Sequence, residues 1–149
     1  MHSQVAAPPA SLYELDETAW LEQTADLIAQ GRLQEVDLAN LRDYLTDMAR
    51  RDKREVFSRL VSLFTHLLKW EHQPDQRSNS WRGTILEQQR ELRYLTKSGI
   101  LRRHAEESCA EAYTDALEQA SAETGLATEI FPTDPNWTLD EAMTTNERK

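Results

Sequence analysis

The chain is poor in residues that staple, break or span. A single cysteine, Cys109, among 149 residues excludes a disulfide framework and a cysteine-built zinc site. Four glycines and five prolines exclude collagen-like and low-complexity classes. No apolar run approaches the roughly 20 residues that a membrane helix needs, so no membrane association is expected. Met1 to Ala10 lack a basic stretch followed by an apolar one, so no secretory signal is visible and a cytoplasmic protein is expected. There is no Gly-rich phosphate loop and no G-x-S-x-G elbow, and no cofactor is expected.

Acid dominates what is present. The net charge is -9, with 29% charged and 39% hydrophobic residues, a balance that suits a soluble globular fold. A chain of this size can bury roughly 70% of its unfolded surface without disulfide or metal support. The charge is unevenly spread: residues 1–49 sum to -7, residues 50–104 to +7 and residues 105–149 to -9. A basic middle between acidic ends is either an anion-binding surface or a set of helices neutralised by their neighbours.

Periodicity points to helices throughout. Asp16 can cap a helix reaching about Gln30, with Trp20, Leu27 and Ile28 on one face and Gly31 as the stop. Asp37 opens a second, in which Leu38, Leu41, Leu45 and Met48 form a seam. Asp52 and Glu55 have capping-box spacing, so either a third helix starts there or one long helix bends. Val56, Leu60, Leu63 and Leu67 make one apolar row, and Phe57, Val61, Phe64 and Leu68 the next, as in a central helix. Pro74 ends it.

Residues 73–80 read as a polar connection closed by Ser78 or Ser80 as N-cap. The next helix reaches about Lys97, with Trp81, Ile85, Gln88, Leu92 and Leu95 inward and Gly99 as its end. Another runs to about Thr124 with Leu101, Ala105, Cys109, Ala112, Tyr113, Ala116 and Ala120 inside, and Gly125-Leu126 suggests a Schellman stop. Thr138 and Glu141 offer a capping box for a last short helix. The expected fold is all-α, an antiparallel helical bundle of about five main helices plus a short C-terminal helix. Its limits are a lead-in over 1–10, one domain over 11–143 and a frayed tail over 144–149.

Few residues invite chemistry. His66 and His72, six positions apart, face about 120° from each other and cannot clamp one metal from a single helix, so no metal site is expected. Cys109, on a small-residue face, reads as a buried, inert thiol. Arg59, His66, Trp70 and Gln73 share one edge of the central helix, with Lys69 farther toward solvent. Arg77, Ser80, Trp81 and Arg82 return after the turn. Two tryptophans and several cations at one corner suit a carboxylate, a phosphate or a partner peptide. Equally, Trp70 and Trp81 are core lids covered by arginine stems. Gln88, in the middle of an apolar row, must be hydrogen-bonded, to the 73–80 connection or to His66, and reads as a structural polar pin.

The run His66-Leu67-Leu68-Lys69-Trp70, with Gln73-Pro74, Arg77-Ser78, Ser80-Trp81-Arg82, Thr84-Ile85 and Gln88 to Leu92, resembles domain-of-unknown-function family 29. The likeness extends from Leu12-Tyr13 and Trp20-Leu21 to Phe131-Pro132 and Trp137-Thr138-Leu139. This chain has Ala49 where the family usually has glycine, and Asn136 between Pro135 and Trp137 where the family tends to join proline to tryptophan. The resemblance implies a small bacterial, cytoplasmic, helical domain and hands over no catalytic residue.

Three functions are therefore open. The first is a non-enzymatic interaction module that offers the corner around 66–82 to a protein partner or to a second copy. The second is a nucleic-acid-associated regulator or antitoxin-like protein using Arg50, Arg51, Lys53, Arg54, Arg77, Arg82, Arg90 and Arg93, an option that the net charge of -9 opposes. The third is a hydrolase using His66 and a carboxylate from another helix.

Overall fold

A computed structural model describes residues 11–144; the lead-in over 1–10 and positions 145–149 of the expected tail lie outside the described residues. All described regular structure is helical. The α-helices are α1 (Leu12–Leu15), α2 (Glu17–Ala29), α3 (Leu38–His72), α4 (Asn79–Leu95), α5 (Gly99–Thr124) and α6 (Leu139–Thr144). Single 3-10 turns occupy Leu33–Glu35, Pro74–Gln76 and Thr128–Ile130. The all-α reading holds, with four long helices where about five were expected, because the second and third are one. Nothing breaks α3 across its 35 residues: position 49 is alanine, and the Glu55 carboxylate accepts from Arg59 Nε at 3.0 Å, one turn onward, instead of capping a new start.

The chain divides into two compact units, Met1–Ala49 and Arg50–Lys149. In the first, Asp16 and Asp37 cap α2 and α3 by accepting from Ala19 N and Asn40 N. The α2 stop is a full Schellman motif: Gly31 sits at φ +72°, its N–H donates to the Ile28 carbonyl, and the Arg32 N–H donates to the Leu27 carbonyl. Trp20 is the centre of this unit, edge-on to Tyr13 at 4.7 Å and 6.2 Å from Tyr44. The expected Leu38 to Met48 seam is rotated. Leu41, Tyr44 and Met48, within about 60° of arc at 100° per residue, are half-buried, whereas Leu38 and Leu45 stand 67% and 59% exposed. Ile28 is also exposed.

The second unit holds the main core as a helical bundle. Val56, Leu60, Leu63, Leu67 and Leu68 are fully buried, Phe64 nearly so, and they meet Ile85 and Leu92 of α4 and Ala105, Ala112, Tyr113, Ala116 and Ala120 of α5. The small residues of α5 allow close helix approach. Gly125 is left-handed at φ +77°, as expected, but the Leu126 N–H donates to Thr124 Oγ1, so the stop is not a Schellman motif. Gly99 is not a stop either. Helix α4 ends at Leu95, and Ser98 caps α5 by accepting from Leu101 N.

Helix α6 has only six residues, too few to persist alone. Thr138 and Glu141 close the expected capping box reciprocally, at 3.0 and 3.2 Å. Its far end is held by α4: Gln89 Nε2 donates to the Ala142 carbonyl at 2.8 Å, and Arg93 donates to the Met143 carbonyl. Arg102 of α5 pairs with Asp140 at 2.7 Å.

Candidate functional site

The turn between α3 and α4 is assembled from backbone rules. Pro74 ends α3 and opens a 3-10 turn, and Ser78 starts α4 by accepting from Trp81 N at 3.2 Å. Ser78, not Ser80, is the cap. Trp70, in the last two turns of α3, is 9% exposed. Arg77 Nε donates to the Trp70 carbonyl at 2.8 Å, so a cation meets one of the unpaired carbonyls at the helix C-terminus. The same guanidinium lies over the Trp70 ring at 4.9 Å, and that of Arg82 lies at 5.7 Å. Trp70, Arg77, Ser78, Asn79 and Arg82 line an open recess of 310 Å³. A stacked guanidinium keeps its N–H edge available to a planar anion.

The other corner residues go elsewhere. Lys69, expected toward solvent, is buried: its Nζ lies 2.7 Å from Glu123 Oε1 of α5 and 4.7 Å from the Trp81 ring centre. Burial raises the Glu123 carboxyl, but hydrogen bonds from Lys69 and Gln119 outweigh it and hold the group below its ordinary range. Arg59 joins Glu55 and Gln88. His66 shares its Nδ1 with the Ser62 carbonyl at 2.8 Å. Gln73 is half-buried, with its N–H on the Lys69 carbonyl, and Ser80 is exposed outside the recess.

Gln88 is hydrogen-bonded, as its row demanded, but to Arg59 Nη1 at 3.1 Å and from a half-buried position. The fully buried amide is its neighbour Gln89. Asn79, which also lines the recess, is a polar side chain with no periodic signal in the sequence.

The basic residues are dispersed. Arg51, Lys53, Arg54, Arg82 and Arg90 are exposed, Arg93 holds the end of α6, Arg77 is locked to Trp70, and Arg50 carries an interaction of its own. Lys53 and Arg54 edge a second recess with Phe57, Ser58, His104, Ser108 and Glu111. There His104 Nε2 lies 3.1 Å from the Lys53 carbonyl and 3.4 Å from Ser108 Oγ. A carbonyl only accepts, so Nε2 carries a proton and cannot serve Ser108 as a base. Among the described residues, no three His, Cys, Asp or Glu side chains gather into a metal-holding group, and no helix is long and apolar enough to cross a membrane.

A family model described as "Domain of unknown function DUF29" matches residues 12–146. The chain belongs to the DUF29 family. The match reaches across both compact units of this DUF29 chain. No curated protein and no solved structure matches it.

Proposed function

We propose that this DUF29 chain is a non-enzymatic recognition module that takes an acidic segment of a protein partner into the Trp70 corner. One observation carries the reading: two guanidinium groups flank one indole at the start of a 17-residue helix, around a recess of 310 Å³. Arg77 is preorganised by its bond to the Trp70 carbonyl, which lowers the ordering cost of binding. Arg82 is exposed and has the reach to close on a carboxylate in a forked geometry. The first turn of α4 adds backbone N–H groups and a positive helix end. The net charge of -9 opposes long-range attraction of a polyanion, so recognition here is short-range and local.

The test is titration of a fluorescent Asp/Glu-rich peptide into wild type, Arg82→Ala and Arg77→Ala, alongside a DNA duplex of similar charge. Arg82→Ala is expected to weaken the peptide about tenfold, the weight of one charged hydrogen bond. Duplex binding that falls steeply with salt and survives Arg82→Ala would favour a nucleic-acid partner held by the other basic residues of 50–104, such as Arg51, Lys53 and Arg54. Peptide binding unchanged in both variants would overturn the proposal.

A further inference from the structure

The outward face of α4 combines positive charge with apolar surface. Leu86, Arg90 and Tyr94 recur every four residues, within about 80° of arc at 100° per residue, and all three are exposed, Tyr94 by 68%. Lys97, in the turn that follows, brings its Nζ to 5.6 Å from the Tyr94 ring centre, so cation and ring belong to one patch. Arg93 is committed to the Met143 carbonyl. Of the two acids on α4, Glu91 is half-buried and Glu87 stands at the edge of the face. The opposite combination lies on the first unit. There α1 exposes Leu12 and Leu15, the latter by 73%. Burial, then the charges of Glu17, Asp47 and Asp43, raise the pKa of Tyr13 on the same turn, so acids of α2 and α3 gather beside those leucines. Residues 1–49 sum to -7 and residues 50–104 to +7.

We infer that the outward face of α4 is a docking surface for a second copy of this chain, which presents the acidic, leucine-bearing face of its first unit. Each face supplies what the other lacks: Glu17 and Asp43 meet Arg90 and Lys97, and Leu12 and Leu15 cover Leu86 and Tyr94. The apolar side chains supply attraction without direction, and the charges fix which way round the copies meet. Because the two faces differ, the contact is heterologous, the first unit of one copy on the second unit of another. A net charge of -9 on each copy does not forbid it, since at physiological salt charges are screened beyond about 8 Å and those in contact decide. A nucleic acid would engage the cations of α4 but leave the leucines of the acidic unit uncovered. Arg90 and Lys97 lie outside the Trp70 recess, so this contact stands or falls separately from recognition at that corner.

The test is analytical ultracentrifugation of the full chain, whose average mass is expected to rise between about 10 μM and 1 mM, the range of a modest contact. Two charge-reversed variants are compared, Arg90→Glu with Lys97→Glu and Glu17→Lys with Asp43→Lys, all four at exposed positions. Each pair should weaken self-association by about tenfold or more, because like charges then face one another. An equimolar mixture of the two should associate again, since the acidic first unit of one variant meets the basic α4 of the other and the reversed faces also match. Far-UV circular dichroism establishes that both variants are folded. Tyr94→Ser and Leu15→Ser, which leave the charge unchanged, should each weaken association too and decide the matter if a reversed variant does not fold. A monomer at every concentration, association unchanged by either reversal, or a folded mixture that stays monomeric would overturn the inference. So would a monomeric chain that retains a DNA duplex through Arg90 and Lys97, which would give this face to a nucleic acid.

Discussion

Two adjacent glutamines of α4 carry different weights. Gln89 is fully buried and holds the end of α6 through the Ala142 carbonyl; Gln88 is half-buried on the flank beside Arg59. Gln89→Ala removes the donor and leaves a buried carbonyl short of its partner, at a cost of about 1–3 kcal/mol. Gln88→Ala removes a half-buried acceptor of Arg59 and should cost less, about 1 kcal/mol, because Arg59 keeps its pairing with Glu55. Urea unfolding of the two variants checks the contrast, and hydrogen exchange over 139–144 should rise in the Gln89 variant alone. The apolar row of α4 points at Gln88, because hydropathy periodicity assigns the inward face from its apolar members. Gln89 is buried for a reason outside that pattern: an unpaired carbonyl at the end of another helix, 53 residues away. Local spacing contains no trace of that partner. Lys69 is a second case. Its position on α3 suggests solvent, and only Glu123 and Trp81 on two other helices make its burial tolerable.

Helix limits follow local chemistry more closely. Asp16, Asp37, Gly31, Gly125 and the Thr138–Glu141 box were legible, and Ser78 as one of two candidate caps, since a cap or left-handed stop acts within a turn or so of its own position. Gly31 has open space where a Cβ would sit, so Gly31→Ala tests backbone strain alone. A left-handed alanine there should cost about 1 kcal/mol, read as a lowered urea midpoint with an unchanged slope. The continuity of α3 was not legible between two readings, because Asp52 and Glu55 fit a cap and a continuous helix equally. The choice is made by Glu55 reaching forward to Arg59, and by an alanine rather than a glycine at position 49. The corner at Trp70 was legible as a set of residue types. Its membership was not, since the separation of Arg77 and Arg82 from Lys69 and Arg59 depends on where neighbouring helices supply acids and amides.

Over the molecule, the shifted groups predict how stability responds to pH. Glu123 is held below its ordinary pKa, so its pairing with Lys69 stabilises above about pH 4.5 and is lost as pH falls through the folded-state value. Tyr113 moves the other way. Its folded pKa is about 12 against an ordinary 10.0, so its contribution is whole below about pH 10 and is lost as pH rises from there to about 12. Thermal melts across pH should therefore decline at both ends. Tyr113→Phe, which cannot ionise, should flatten the alkaline limb while lowering stability at neutral pH by about 1 kcal/mol for the lost bond to Pro132. Retention of the full alkaline slope in that variant would remove Tyr113 as its source.

Helical class, the strongest apolar rows and most helix ends are readable in the chain because each depends on neighbours within a turn or two, whose geometry is set by 3.6-residue periodicity and backbone sterics. Which polar groups lie inside, which cations are committed to the fold and which remain at a surface recess are tertiary facts. They arise because a buried donor or charge is stable only beside a complementary group, and for Gln89, Lys69 and Tyr113 that group is supplied by residues distant in the chain.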